Sequence, residues 1–272
     1  MNRYVRGNRE LWEAWTDVNV RSAFYDVAGF KAAPLPLDAI VRAGLGDVSG
    51  KSVLHLQCHF GLDTLRVALA GGHATGVDFS PKAISHARAL AEELGIAARF
   101  IESDLYALPD APELAGATFD LVFTSWGVLS WLPDLAPWGR IIARFLRPGG
   151  TFFIAEGHPT LLLFESHDKQ TLALHYPYFA TPDPIVIPVT GNYADPTAQV
   201  SVTEYAFPHS LEDIIMSLLD AGLRLDELRE HQHIPWQAFP FMVERAPHEW
   251  AMPPDRPSLP LAFSLRASKG TV

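Results

Sequence analysis

Residues 52–65 read SVLHLQCHFGLDTL, a stretch that holds His55, Cys58, His59 and Asp63. Residues of these types serve a metal site, the thiol and base of a hydrolase, or a nucleotide-binding turn that has exchanged its usual glycines. SVLHLQ has the continuous apolar character of a buried strand, and GLDTLRVALAGG reads as a short helix closed by Gly71 and Gly72. Side chains alternate across a strand, so His55 and His59 point to one face and Cys58 to the other. Ligands that diverge do not share one ion, and no second Cys/His cluster has a zinc spacing. The expectation is therefore a turn with no metal.

Outward from this turn, strand and helix signals alternate. HATGVDF is a second strand. Ser80 caps a helix with Pro81 at its first position, and Gly95 ends it. Ala83, Ile84, Ala87, Leu90, Ala91 and Leu94 form its apolar face. AARFIESD is a third strand and FDLVFTS a fourth. A helix over 134–146 sets Leu135, Trp138, Ile141, Ile142 and Phe145 on one side; RPGG then turns, and TFFIAE is a fifth strand. Strands alternating with helices predict an α/β fold, a mostly parallel sheet covered by helices on both faces.

Beyond Gly157 the pattern changes. LHYPYFATPDPIVIPVTGNY is dense in proline and aromatic residues and reads as an insertion of extended segments and loops. HSLEDIIMSLLDAGL returns to a helix, with Ser210 and Asp213 suited to a capping box. RLDELREH and LPLAFSLRAS are expected as the final strands. The N-terminal segment, with Trp12, Trp15, Phe24 and Tyr25, reads as a helix and connection packed on the body.

At 272 residues the chain fits one large domain or two small ones. Its net charge of −10 and lack of a basic stripe argue against nucleic acid as a partner. One cysteine rules out an intrachain disulfide. No run like that of a signal peptide and no apolar run of about 18 residues is present. The expectation is a soluble cytoplasmic protein without a membrane partner. Nothing in the sequence speaks to its oligomeric state.

In an open parallel sheet, ligands bind beyond the carboxyl ends of the strands. The segments that follow the five strands are QCHFG, Asp78 in GVDF, Asp104 in ESD, TSWGVLSW and EGHP. Two acids at adjacent strand ends suit a ligand with a diol and an exocyclic amine. On these motifs, residues 50–157 resemble the class I S-adenosylmethionine-dependent methyltransferases of the small-molecule type, with 209–230 a looser match. That family's first motif reads approximately V-L-D-x-G-C-G-x-G. Here Val53 to Gly61 carry it as VLHLQCHFG. His55 replaces the acid, Gln57 and His59 replace two glycines, and Gly61 remains. Cys58 keeps the cysteine of the family's motif, a small hydrophobe there, so buried packing suits it better than nucleophilic work.

The resemblance implies a Rossmann-like seven-stranded sheet in one methyltransferase domain, 1–272. Its expected parts are an N-terminal helical lid (1–45), a cofactor-binding core (50–157), a substrate-cap insertion (158–207) and the remainder of the sheet (208–272). It implies S-adenosyl-L-methionine as cofactor, held by Gln57, His59, Phe60, Gly61, Asp78, Phe79, Asp104, Leu105, Ser125 and Trp126. Methyl transfer to oxygen or nitrogen of a small aromatic or apolar molecule follows. His158 in EGHP is the candidate general base, and Trp12, Tyr25, Trp131, Tyr176 and Trp236 are candidate substrate contacts. Two other readings use the same sheet. One is an S-adenosylmethionine or S-adenosylhomocysteine binder without transferase activity. The other is an NAD-dependent oxidoreductase, for which QCHFGLD lacks the G-x-G-x-x-G fingerprint.

Overall fold

The computed structural model describes residues 2–164 and 172–271; residues 165–171 of the expected insertion lie outside the described residues. The chain opens with α1 (Arg3–Arg21), capped by the Asn2 side chain, and the shorter α2 (Val27–Ala32) and α3 (Ala39–Leu45). Strand and helix then alternate through β1 (Ser52–Leu56), α4 (Leu62–Leu69), β2 (His73–Asp78), α5 (Pro81–Leu94), β3 (Arg99–Glu102), β4 (Phe119–Ser125), α6 (Leu135–Phe145) and β5 (Leu146–Gly157). A hairpin, β6 (Ile185–Thr190) and β7 (Ser201–Ala206), leads to α7 (Leu211–Asp220) and β8 (Leu223–His231). A small antiparallel sheet, β9 (His233–Ile234), β10 (Val243–Ala246) and β11 (Glu249–Ala251), precedes β12 (Ala262–Lys269).

Local chemistry sets the element ends. Ser80 accepts the Ala83 N–H, Pro81 opens α5, and Gly95 closes it in the left-handed conformation. Ser210 and Asp213 form the reciprocal capping box of α7. RPGG differs from its reading as a turn outside the strand: β5 already begins at Leu146, which pairs with Phe119 before the register shifts. The β9–β11 sheet also stands outside the expected elements. Its strands are too short to show a period of two.

Seven strands pair in the order β3-β2-β1-β4-β5-β12-β8, with β12 antiparallel to both neighbours. Both faces of the central strands are covered. Leu54, Leu56, Val122, Phe152 and Ile154 pack with Trp138 and Phe145 of α6 and with Ile214 and Leu218 of α7. On the other face Val53, Phe123 and Phe153 meet Val41 of α3 and Val67 of α4. Burial on two sides is why these strands read as continuous apolar runs. Gly139 lets α6 and α7 approach closely, since a Cβ there would stand 2.0 Å from the Ser217 carbonyl oxygen.

Strand order reverses between β1 and β4, which opens a crevice beyond their carboxyl ends. Helix α1 and the β6–β7 hairpin close over this end together. Asn8, fully buried, donates to the Tyr205 carbonyl and accepts the Tyr205 N–H, both at 2.9 Å. Trp15 donates its indole N–H to the Gly191 carbonyl at 3.0 Å. Asn8→Ala removes both bonds to the hairpin and is expected to cost about 1–2 kcal/mol of docking. Faster amide exchange over 3–21 and 201–206, with the sheet unchanged, is the result that checks this.

Candidate functional site

The loop after β1 holds the backbone conformation of glycine without the glycines. Gln57 (φ 55°) and His59 (φ 53°) are both left-handed, as is Gly61 (φ 85°). A residue with a Cβ pays roughly 1–2 kcal/mol for this region. Gln57 donates its amide N–H to the Val128 carbonyl at 3.0 Å, while its Oε1 is buried without a partner. The His59 N–H donates to Asp78 Oδ2 at 2.8 Å. The His59 ring lies edge-on to Trp12 and Phe60, at centroid distances of 5.0 and 4.5 Å, and burial drives its pKa down to about 3. It is neutral at any ordinary pH.

The other two residues of the opening stretch face elsewhere. Cys58 packs with Phe30, Leu62, Leu65 and Ala83, and burial raises its thiol pKa, so it stays protonated. His55 stacks on Phe123 at 4.0 Å, and its Nδ1 lies 2.9 Å from the Thr64 hydroxyl. His55, Cys58 and His59 thus occupy three separate environments. Among the described residues, no group of three or more His, Cys, Asp or Glu is placed to hold a metal ion.

Asp78 ends β2 with its carboxylate facing this loop. It accepts the His59 N–H and, at 3.0 Å, the Ser80 N–H; burial pushes its pKa up to about 6. Phe79 is half-buried beside it. Glu13 of α1 accepts from the Ser80 hydroxyl and, at 3.3 Å, from the Lys82 N–H. Asp104 follows β3 and caps the short helical turn Leu105–Asp110 by accepting the Tyr106 N–H at 2.8 Å; Leu105 is buried. These acids line the ends of two adjacent strands, as expected.

The segment after β4 divides. Ser125 donates to Asp63 at 3.1 Å. Trp126 (φ 53°) turns toward α3, donates its indole N–H to Asp38 at 2.9 Å and meets Trp236 edge-on at 5.4 Å. Trp131 turns the other way and meets Trp12 edge-on at 5.3 Å. Trp12, Tyr25 and Trp131 therefore share one aromatic cluster with His59, Trp15 and Tyr193, and the Tyr25 and Tyr193 hydroxyls lie 2.5 Å apart. Tyr176 is half-buried and edge-on to His175 at 4.5 Å.

A cavity of about 220 Å³ opens beyond β4 and β5, walled by Glu156, His158, Phe207, His209, Trp236 and Phe239 among others. Glu156 is fully committed. Its oxygens accept the N–H groups of Gly127 (2.5 Å), Val128 (2.6 Å), Leu129 (3.3 Å) and Gly157 (2.7 Å). Glu156→Gln turns an N–H₂ toward these amides and is expected to destabilise the fold by about 2 kcal/mol, read as a lower Tm. In His158, Nδ1 accepts the Thr160 N–H at 3.2 Å, which leaves the proton on Nε2; Nε2 stands 3.1 Å from Glu230 Oε1 but makes no hydrogen bond. His209 escaped sequence reasoning. It directly precedes the N-cap Ser210, and the capping signal absorbs it.

Residues 127–128 join the two regions. The Val128 carbonyl holds Gln57 of the loop, while the Gly127 and Val128 amides hold Glu156 of the cavity.

Residues 53–150 match the family model described as a methyltransferase domain. A ubiquinone biosynthesis O-methyltransferase of Aromatoleum aromaticum is 37% identical over 125 residues, covering 45% of this chain and 50% of the relative. The chain thus spans about half the length of the curated relatives it matches. An S-adenosylmethionine-dependent methyltransferase from Clostridium acetobutylicum superposes with a TM-score of 0.60 at 14% identity, over 94% of this chain and 98% of that one. Another, from Mesorhizobium loti, gives 0.57 at 20% identity, over 85% and 96%. The fold is that of the class I S-adenosylmethionine-dependent methyltransferases.

Proposed function

We propose that this chain, which has the fold of the class I S-adenosylmethionine-dependent methyltransferases and matches a methyltransferase domain over 53–150, methylates an oxygen of a small aromatic molecule. The observation that carries this reading is the juxtaposition of an acid-bearing loop beyond β1–β3 with an aromatic-walled cavity beyond β4–β5, tied together at residues 127–128. The name of the relatives, O-methyltransferase, supports oxygen over nitrogen.

The residues present fit an adenosyl cofactor. The left-handed backbone at Gln57, His59 and Gly61 keeps the path that glycine gives a loop pressed on a ligand. The buried, unpartnered oxygens of Gln57 and Asn19 are acceptors without donors, as an ammonium group would supply. Asp78 would take the ribose hydroxyls, and Asp104 the adenine amine beside Leu105. When bound, S-adenosylmethionine supplies a sulfonium methyl that is displaced in line by a nucleophile. The chain's part is to position and to exclude water. Trp12, Trp15, Tyr25 and Tyr193, carried by α1, its connection and the hairpin loop, form the dry roof. A cavity of about 150 Å³ suffices for benzene, so the space beside Trp236 and Phe239 admits one aromatic ring.

The test is incubation with S-adenosylmethionine and a panel of phenols, catechols and aromatic amines, with products read by mass spectrometry. A product heavier by one methylene, with stoichiometric S-adenosylhomocysteine, supports the reading. Binding of the cofactor with no product across the panel would instead favour a binder without transferase activity.

A further inference from the structure

Resting on the methyl-transfer reading above, we propose that His209 is the general base, taking the proton of a phenolic hydroxyl bound in the cavity. His209 is 9% exposed and forms part of the cavity wall. The backbone is pinned on both sides of it. The Phe207 N–H donates to the Ser130 carbonyl at 2.8 Å, and Ser210 is locked by its reciprocal bonds with Asp213. His209 Nε2 lies 2.7 Å from the Leu132 carbonyl oxygen. A carbonyl only accepts, so Nε2 carries the proton and Nδ1 of the neutral ring holds the lone pair.

Three titratable side chains wall the cavity, and only His209 has an uncommitted basic atom. Glu156 accepts four backbone amides, and the lone pair of His158 Nδ1 accepts the Thr160 N–H, which leaves its Nε2 protonated and not basic. Among the described residues, Nδ1 of His209 has no hydrogen-bond partner. Burial lowers the pKa of His209, against the pull of Asp213 and Asp134, so the ring is neutral and able to accept a proton at neutral pH. The Leu132 carbonyl orients the ring and keeps its bond when the imidazolium forms, the part that a third group plays in orienting a catalytic base.

The step balances without another reactant. Nδ1 takes the hydroxyl proton, and an oxygen electron pair forms the new O–CH₃ bond. The sulfur keeps the pair of the S–CH₃ bond that breaks, and the imidazolium later returns its proton to solvent.

The experiment uses the full chain with S-adenosylhomocysteine and 4-nitrocatechol, whose visible absorption reports ionisation of its hydroxyl. His209→Gln keeps an N–H donor for the Leu132 carbonyl and removes the basic nitrogen. In the wild type, 4-nitrocatechol is expected to bind ionised at a pH where it is protonated in solution, and ¹⁵N-histidine spectra of the free protein show His209 Nδ1 unprotonated. His209→Gln is expected to bind S-adenosylhomocysteine with unchanged affinity and 4-nitrocatechol in the protonated form. Its turnover with S-adenosylmethionine should fall by about 100-fold or more. Unchanged ionisation and turnover in His209→Gln, or an Nδ1-protonated ring in the free protein, overturns the role of His209 alone. Failure of 4-nitrocatechol to bind beside S-adenosylhomocysteine overturns the proposal as well. Failure of the wild type to bind S-adenosylhomocysteine overturns the methyl-transfer reading itself.

Discussion

Asp78→Ala is expected to weaken S-adenosylhomocysteine binding by about 100-fold, with the protein still folded. The carboxylate has two tasks in this account. It would accept the two ribose hydroxyls, and it already ties the loop to the next helix through the His59 and Ser80 amides at 2.8 and 3.0 Å. Charge-assisted bonds of this kind are worth about 1.5–3 kcal/mol each, and 1.4 kcal/mol is a tenfold change in affinity. The pH dependence has a definite sign. The folded carboxyl holds its proton up to about pH 6, whereas an unfolded aspartate releases it near about 4. Ionisation within this window therefore opposes folding, and the free chain loses stability as pH rises through it. Ligand binding runs the opposite way, because the hydroxyls require the ionised acceptor. Affinity is expected to rise with pH to about 6 and then level off, with proton release below that value. Calorimetry in buffers of different ionisation enthalpy measures both, and Asp78→Asn should abolish the dependence.

Gly61→Val is expected to cost the fold about 2–5 kcal/mol, the largest stability loss of any single change considered. Gly61 stands at φ 85°, where a β-branched residue is an outlier. A Cβ would also meet Phe100 Cε1 at 2.6 Å and Ala87 Cβ at 2.9 Å. Left-handed strain of roughly 1–2 kcal/mol adds to overpacking of about 1–3 kcal/mol. Thermal unfolding with and without S-adenosylhomocysteine measures it. A Tm within a few degrees of wild type would show that α5 yields at no cost and that this turn is not held by close packing. The contrast with Gln57 and His59 is instructive. Both adopt the same backbone region, but the Gln57 amide N–H donates to the Val128 carbonyl and the His59 ring meets the Asn19 amide at 3.3 Å, so the strain is borne there.

The sheet was legible because its strands are buried on both faces and its helices carry strong caps. SVLHLQ, GVDF and FDLVFTS read as strands for that reason, and Ser80-Pro81 and Ser210–Asp213 read as helix starts. The opening stretch was legible only as alternatives, since His55, Cys58 and His59 differ in which neighbours they meet rather than in type. Their separation becomes visible once Phe123, Phe30 and Trp12 are placed around them. The site was less legible where contacts are long in range. Trp126 follows β4, yet its left-handed backbone turns the indole to Asp38, a partner 88 residues away. Glu156 and His158 look reactive in EGHP, and the backbone amides that occupy Glu156 come from a different strand end. His209 was invisible for the converse reason. Its partner is a backbone carbonyl, which leaves no mark in the sequence.

The most direct test of the central claim, that an adenosyl cofactor sits in the loop beyond β1–β3, is calorimetric titration of the full chain with S-adenosylhomocysteine, with NAD as the comparison, above pH 6. Saturable one-to-one binding of S-adenosylhomocysteine and none of NAD is the expected result. Binding of NAD in its place, or no heat from either ligand with the protein folded, would contradict it.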